Sequence, residues 1–238
     1  MRRERLLDGA AAVLLTGAAL AVALPFRREA MAAQSVFSAG WDAALHATEG
    51  LDLFDDIRLL RPVDALGFVL SRHWWGPVWA LASAPFQAAF GPSLPAASLP
   101  SLVSHVLTPA AAFLLVRRLV PGGLLSAAAA AVFVAILFLG SPMLLETSAW
   151  PMLESLGGFL ALLAWLLFAW RPGRRSQRAA FLAGAALFLL KYHFGFFVLG
   201  TFLAVVLVEE TPDARRRLGV AARARESSFS RPLSRRFG

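Results

Sequence analysis

The sequence predicts an all-α protein, a polytopic transmembrane helix bundle with amphipathic interfacial helices in its first outer loop. Three observations predict it. Hydrophobic residues make up 58% of the chain and charged residues only 16%, whereas a soluble domain carries about 25% charged residues. Too little charge remains to coat a globule of this size, so lipid must cover the rest. Apolar runs of about 20 residues recur, the length at which a helix rising about 1.5 Å per residue crosses a bilayer core of about 30 Å. The arginines gather at the ends of those runs, as topology-setting charges do.

The charge is unevenly distributed. Seven of the 15 acids fall between Glu29 and Asp64, and eight of the 23 bases follow Pro212. Every base except Lys191 is arginine. A high isoelectric point by itself suits nucleic-acid binding, but arginines flanking apolar spans are better explained by membrane orientation, so no nucleic-acid partner is expected. There is no cysteine, which excludes disulfides and thiolate metal sites.

The first span is 9–26, preceded by Arg2, Arg3 and Arg5. Ala30-Met31-Ala32 has the form of a signal-peptidase site. The apolar run is nevertheless long for a signal peptide and is followed by Arg27-Arg28, which favours an uncleaved anchor. Further spans are expected at 98–116, 124–145 and 152–170, and 179–208 is apolar apart from Lys191-Tyr192-His193. Placing arginine clusters inside puts the N-terminus, Arg117-Arg118, the group from Arg171 to Arg178 and Arg215-Arg216-Arg217 on the cytoplasmic face. Parity then requires 179–208 to cross twice, as two helices of about 15 residues that meet at Lys191 on the outer face. Such short helices survive where they line a protein-enclosed or watery cavity.

The same parity makes 73–90 an interfacial or re-entrant helix on the outer side, and Trp74, Trp75 and Trp79 suit that depth. Residues 27–72 form the long acidic outer loop. In it Leu53, Phe54, Ile57 and Leu60, then Val63, Leu66 and Leu70, recur at helical spacing, which predicts a pair of amphipathic helices on the membrane surface.

This order of features resembles the N-terminal half of the C-type membrane glycosyltransferases, the polyprenyl-phosphate-sugar-dependent enzymes that include protein O-mannosyltransferases and the aminoarabinose transferase of lipid A. The resemblance is carried by the anchor helix followed by Asp42, by Arg72-His73-Trp74-Trp75-Gly76-Pro77 in place of the family's His/Lys-Pro-Pro element, and by Phe90-Gly91-Pro92-Ser93. It continues through Leu99-Pro100-Ser101-Leu102, Arg117-Arg118-Leu119, Glu154 and Leu189-Leu190-Lys191-Tyr192-His193. Asp42 is followed by Ala43 where the family often has an Asp-Glu pair, and Pro-Pro is reduced to Gly76-Pro77. Family members usually have more than ten spans. The expected organisation is therefore a transmembrane glycosyltransferase-like domain over 1–208, incomplete by comparison with the family, and an Arg/Ser-rich cytoplasmic tail over 209–238.

The resemblance implies an enzyme of the plasma or inner membrane. It would move a hexosyl or pentosyl unit from a polyprenyl-phosphate-linked sugar to an acceptor glycan, lipid or protein on the non-cytoplasmic face, by inverting displacement with a carboxylate base. Asp42 is the candidate base, with Asp55 and Asp56 behind it. Glu154 is the second catalytic candidate, because an acid within an apolar helix is costly without a role. Lys191, Tyr192 and His193 are candidates for holding lipid phosphate or sugar, as are Arg72 and His73; lysine binds phosphate as a point charge. His105, near Pro109, reads as a packed residue. The four histidines lie far apart without paired-ligand spacing, so no metal ligands are assigned and no cofactor is required, a divalent metal being left open. A transporter or permease half and a non-catalytic membrane scaffold are the alternatives.

Overall fold

The computed structural model describes residues 2–34, 41–71, 77–120, 122–170 and 174–210. All regular structure among them is helical. The helices are α1 (Arg2–Gln34), α2 (Trp41–Arg58), α3 (Pro62–Ser71), α4 (Val78–Phe90), α5 (Leu94–Ala97), α6 (Leu99–Leu119), α7 (Leu124–Leu139), α8 (Pro142–Ala149), α9 (Leu153–Trp170), α10 (Arg174–Leu190) and α11 (Tyr192–Glu210). The chain divides into two compact units, Met1–Phe196 and Phe197–Gly238. Of the second unit, the described residues are the later turns of α11, where the Thr201 hydroxyl donates back to the Phe197 carbonyl at 2.6 Å.

Among the described residues, two helices are long and apolar enough to cross a membrane, Leu6–Ala32 and Leu94–Leu119, and a third crossing is available if α7 and α8 count as one bent span. α6 is central and α1 peripheral: 61% of the apolar window is buried in the former against 17% in the latter. Leu15 on α1, Ala112 and Phe113 on α6, and Ala130 and Val134 on α7 form one core cluster. Ala23 packs on Leu102 and Val106 in another. Small residues on α1 let the helix backbones approach, which is how helices associate where lipid removes the hydrophobic drive. Large apolar side chains point outward instead: Val13, Leu14, Leu125, Ile136 and Leu182 are all more than half exposed. An apolar exterior over a core of small residues suits a lipid environment.

Several boundaries depart from the sequence reading. α1 continues through Arg27 and Arg28 to Gln34, so the start of the expected outer loop is helical. Glu29, Ala30, Met31 and Ala32 are good helix formers, and nothing breaks the helix there. The expected span 124–145 is split. α7 ends at Gly140, Ser141 caps α8 by accepting from the Leu144 amide, Pro142 occupies the first turn, and the two axes diverge by 62°. Gly-Ser-Pro is a stop-and-restart signal that the apolar count outweighed. α10 begins inside the arginine cluster, at Arg174, because arginine sustains a helix as well as most residues do.

The outer-loop pair forms as α2 and α3. Their junction is a helix terminus in which Arg61 N–H donates to Asp56 O at 2.8 Å and Leu60 N–H to Ile57 O at 3.2 Å. This is the two-bond arrangement that needs a left-handed residue, and Leu60 supplies it at φ 54°. The pair packs on α4: Leu53, Ala80 and Ala84 are buried together, with Phe54, Ala65, Phe68 and Val69 around them. α4 has 13 residues, about 20 Å, and is too short to cross a bilayer core. Trp79, expected at an interface, is instead completely buried within the protein.

Candidate functional site

The ends of the helices in the first unit sort into two groups. At one, Arg117 Nε donates to Asp8 at 2.9 Å and Arg117 Nη2 to the Gly122 carbonyl at 2.9 Å, while Arg118 Nε caps the Ala169 carbonyl at 2.7 Å. The Ser176 hydroxyl donates to the Leu167 carbonyl nearby in sequence. This end gathers the start of α1, the ends of α6 and α9, and the starts of α7 and α10. At the other, Arg27 Nη2 donates to Ser98 Oγ at 2.8 Å and to the Pro95 carbonyl, joining the late turns of α1 to the head of α6. Ser101 Oγ donates to Met152 O at 3.0 Å and accepts from Met152 N–H at 3.1 Å, joining α6 to α9.

Lys191 lies at this second end, in the one-residue break between α10 and α11. Its N–H continues α10 by donating to Leu187 O at 2.8 Å, and its carbonyl starts the next helix by accepting from Phe194 at 3.0 Å and Gly195 at 3.3 Å. In a continuous helix Phe188 and Gly195 would be about 10 Å apart along the axis. Here a Cβ on Gly195 would collide with the Phe188 backbone. The chain therefore turns sharply at Lys191, and only glycine allows the contact. The turn presents the ammonium group to α9: Lys191 Nζ donates to Glu154 Oε1 at 2.8 Å, and it also stands 5.1 Å from the centre of the Phe194 ring. Glu154 is in the first turn of α9, where the helix dipole also favours a negative charge.

A second polar cluster lies on α2 and α4. His46 and Glu49, both buried on α2, approach each other at 3.3 Å between Nδ1 and Oε2. His46 also lies within electrostatic reach of the Glu154 carboxyl. Trp79 Nε1 donates to the His46 carbonyl at 2.8 Å, and its ring is 5.9 Å from the imidazole. Gln87 Nε2 donates to Ser83 Oγ at 3.1 Å, which donates in turn to Ala97 O at 3.4 Å. α2 and α4 approach this closely at Gly50, where any side chain would strike Ser83 and Gln87. Ser155 Oγ donates to Thr147 Oγ1 at 3.2 Å, so the end of α8 and the head of α9 are polar as well.

Of the residues singled out from sequence, the structure brings Glu154 and Lys191 into direct contact. Tyr192 and His193 follow Lys191 in the first turn of α11, with rings 5.3 Å apart edge to face, and Tyr192 is well exposed. Asp42 lies in α2, one turn before His46, its side chain outside the described residues. Arg72 and His73 also lie outside them. Asp55 pairs with Arg58 on an exposed face at 3.7 Å, as a solvated helix acid would. His105 is buried on α6, and its Nε2 has no hydrogen-bond partner.

His46 and Glu49 were not anticipated as site residues. Their signal was present: Asp42, His46, Glu49 and Leu53 follow one another at four, three and four residues, which is a single helical face. Among the described residues, no group of three or more His, Asp or Glu side chains could hold a metal ion. Comparison with protein-family models, with curated proteins and with solved structures finds no match.

Proposed function

We propose that this chain is a multi-pass protein of the plasma or inner membrane that transfers a sugar from a polyprenyl-phosphate donor to an acceptor on the non-cytoplasmic face. The observation that supports this reading most is the Lys191–Glu154 pair at 2.8 Å, within electrostatic reach of buried His46 and at the end of the helices away from Arg117 and Arg118. In this reading the Lys191 cation and the Glu154 acid meet the lipid headgroup at that end. The resemblance in the order of sequence features adds the reaction class.

In this reading the acceptor hydroxyl oxygen attacks the anomeric carbon while the bond from that carbon to the phosphate oxygen breaks. The leaving phosphate keeps the bonding electrons, and Lys191 stabilises the charge that develops on it. The hydroxyl proton passes to a carboxylate, Asp42 on α2, a role worth about 10²–10⁴-fold in rate. Glu154 holds the ammonium group in place until the more highly charged phosphate competes for it. Tyr192 and His193, next in the chain, contact the sugar or phosphate, and Arg72 and His73 supply further cationic contacts.

The test uses the full chain in nanodiscs with a radiolabelled polyprenyl-phosphate sugar and a mixed glycolipid acceptor pool. Label should move to the acceptor. Asp42→Asn should reduce transfer by about 100-fold, and Lys191→Ala should weaken retention of polyprenyl phosphate. Full transfer by Asp42→Asn would remove it as the base. The break at Lys191 and the 62° bend between α7 and α8 favour a second reading, a transporter half, since broken helices build transport sites. Label accumulating inside proteoliposomes without reaching an acceptor would select that reading.

A further inference from the structure

We infer that the groove at the end of α1 binds an anionic lipid through a terminal phosphate, with the lipid tail lying along α1. The inference does not rest on sugar transfer and stands equally for a transporter half. An open cavity of about 700 Å³ lies here. Leu24, Pro25, Met31 and Pro95 make its apolar wall, Arg27 and Arg28 its cationic one, and Glu29 contributes one carboxylate at the rim.

The position of these residues on the helix explains the shape of the ligand. At about 100° per residue, Leu20, Leu24 and Met31 fall within about 20° of Val13 on either side on α1. Val13, Leu20 and Leu24 are exposed, so an apolar stripe runs up α1 and enters the groove. Arg27 and Arg28 fall about 40° and 60° to either side of that stripe, one turn beyond Leu24. From Val13 to Arg27 the helix rises about 21 Å, the length of an extended lipid chain. A tail on the stripe would deliver its headgroup between the two guanidinium groups.

Arg27 is prepared for such a ligand. It is half-buried, and its Nη2 is held by Ser98 Oγ and the Pro95 carbonyl, so the guanidinium is already oriented. Its Nε is buried and has no hydrogen-bond partner. A buried N–H without an acceptor is unfavourable, and a phosphate oxygen entering from the groove after a small side-chain adjustment would satisfy it. Arg28 is exposed and supplies the second positive charge. Glu29 excludes a strongly polyanionic ligand and so favours a single phosphate.

The experiment is native mass spectrometry of the full chain released from micelles doped separately with dioleoyl phosphatidic acid, farnesyl phosphate or inorganic phosphate. The wild-type chain should retain one molecule of a lipid phosphate, and the two lipids tell bilayer lipid from polyprenyl phosphate. Arg27→Gln and Arg28→Gln should each lower retention about tenfold, whereas Arg58→Gln, on an exposed face of α2, should not. Met31→Trp fills the groove and leaves both charges, so it should lower retention even if Arg27→Gln fails to fold. Equal retention by Met31→Trp and Arg28→Gln, or retention of inorganic phosphate as strong as of either lipid, would overturn the inference.

Discussion

Lys191 Nζ stands 2.8 Å from Glu154 Oε1, so the turn between α10 and α11 is tied to the first turn of α9 across 37 residues of chain. Each charge is costly among apolar helices, and each relieves the other. Both side chains keep some exposure, 16% for Lys191 and 35% for Glu154, so the pair is neither sealed in the core nor a free surface bridge. Replacing either partner leaves the other charge partly buried. Lys191→Met and Glu154→Gln should each destabilise the protein by about 2 kcal/mol, less than for a fully buried pair. The double substitution should recover at least half of the summed loss, read by thermal unfolding in detergent. Strict additivity of the two single effects would show that the contact contributes nothing.

The turn at Lys191 depends on Gly195. Gly195→Ala sets a methyl group against the Phe188 backbone, which cannot yield as a flexible side chain would. It should cost about 3 kcal/mol, the upper range for overpacking, and weaken the Lys191–Glu154 pair. Gly158→Ala on α9, where the added carbon meets open space, is the control and should leave the melting temperature unchanged or slightly raised. Comparable melting of the two variants would argue against the close contact.

At the junction of α2 and α3, Leu60 holds a left-handed backbone with an 86% exposed side chain. A β-carbon in that conformation costs about 1–2 kcal/mol, and the exposed side chain offers little packing to offset it. Leu60→Gly should therefore stabilise the protein by about 1 kcal/mol, despite glycine's greater freedom in the unfolded chain. A fall in the melting temperature would mean that Leu60 packs in a way its exposure does not suggest.

Trp79 fills the interior between α2 and α4 and donates to the His46 carbonyl. Trp79→Phe keeps an aromatic ring but removes the indole N–H donation to the His46 carbonyl and opens space beside the imidazole. A loss of about 2 kcal/mol is expected, from one buried hydrogen bond and a small cavity. It should be accompanied by faster amide exchange in the described part of α2. Unaltered exchange in α2 would break the link between Trp79 and the placement of His46.

The two groups of helix ends predict labelling from opposite faces. The chain contains no cysteine, so single cysteines can be introduced cleanly. Ser93→Cys and Tyr192→Cys should react with a membrane-impermeant maleimide in intact cells, and Arg175→Cys only after permeabilisation. Reaction of all three without permeabilisation would rule out the proposed multi-pass arrangement.

What the sequence determined by itself was local. Composition dictated helices in lipid-compatible surroundings, arginine placement sorted the helix ends, and Lys191-Tyr192-His193 marked the break in the last apolar stretch. Glu154 and Lys191 stood out because an ionisable group in an apolar run is expensive wherever it lies. These inferences need only the residues within a turn or two. The same local counting was misled at Gly140-Ser141-Pro142, where hydropathy outweighed a terminator, and at Glu29, where charge was read as loop although the residues favour helix.

Only the tertiary structure decided which groups meet. That Lys191 reaches Glu154, that His46 and Glu49 are buried, that Trp79 lies inside rather than at an interface, and that Arg27 faces a groove all depend on helix crossings. A crossing is set by where small residues such as Gly50 and Gly195 allow two helices to come close. A shift of one residue along either helix rotates its side chains by about 100°, which would separate each of these pairs without altering any local pattern.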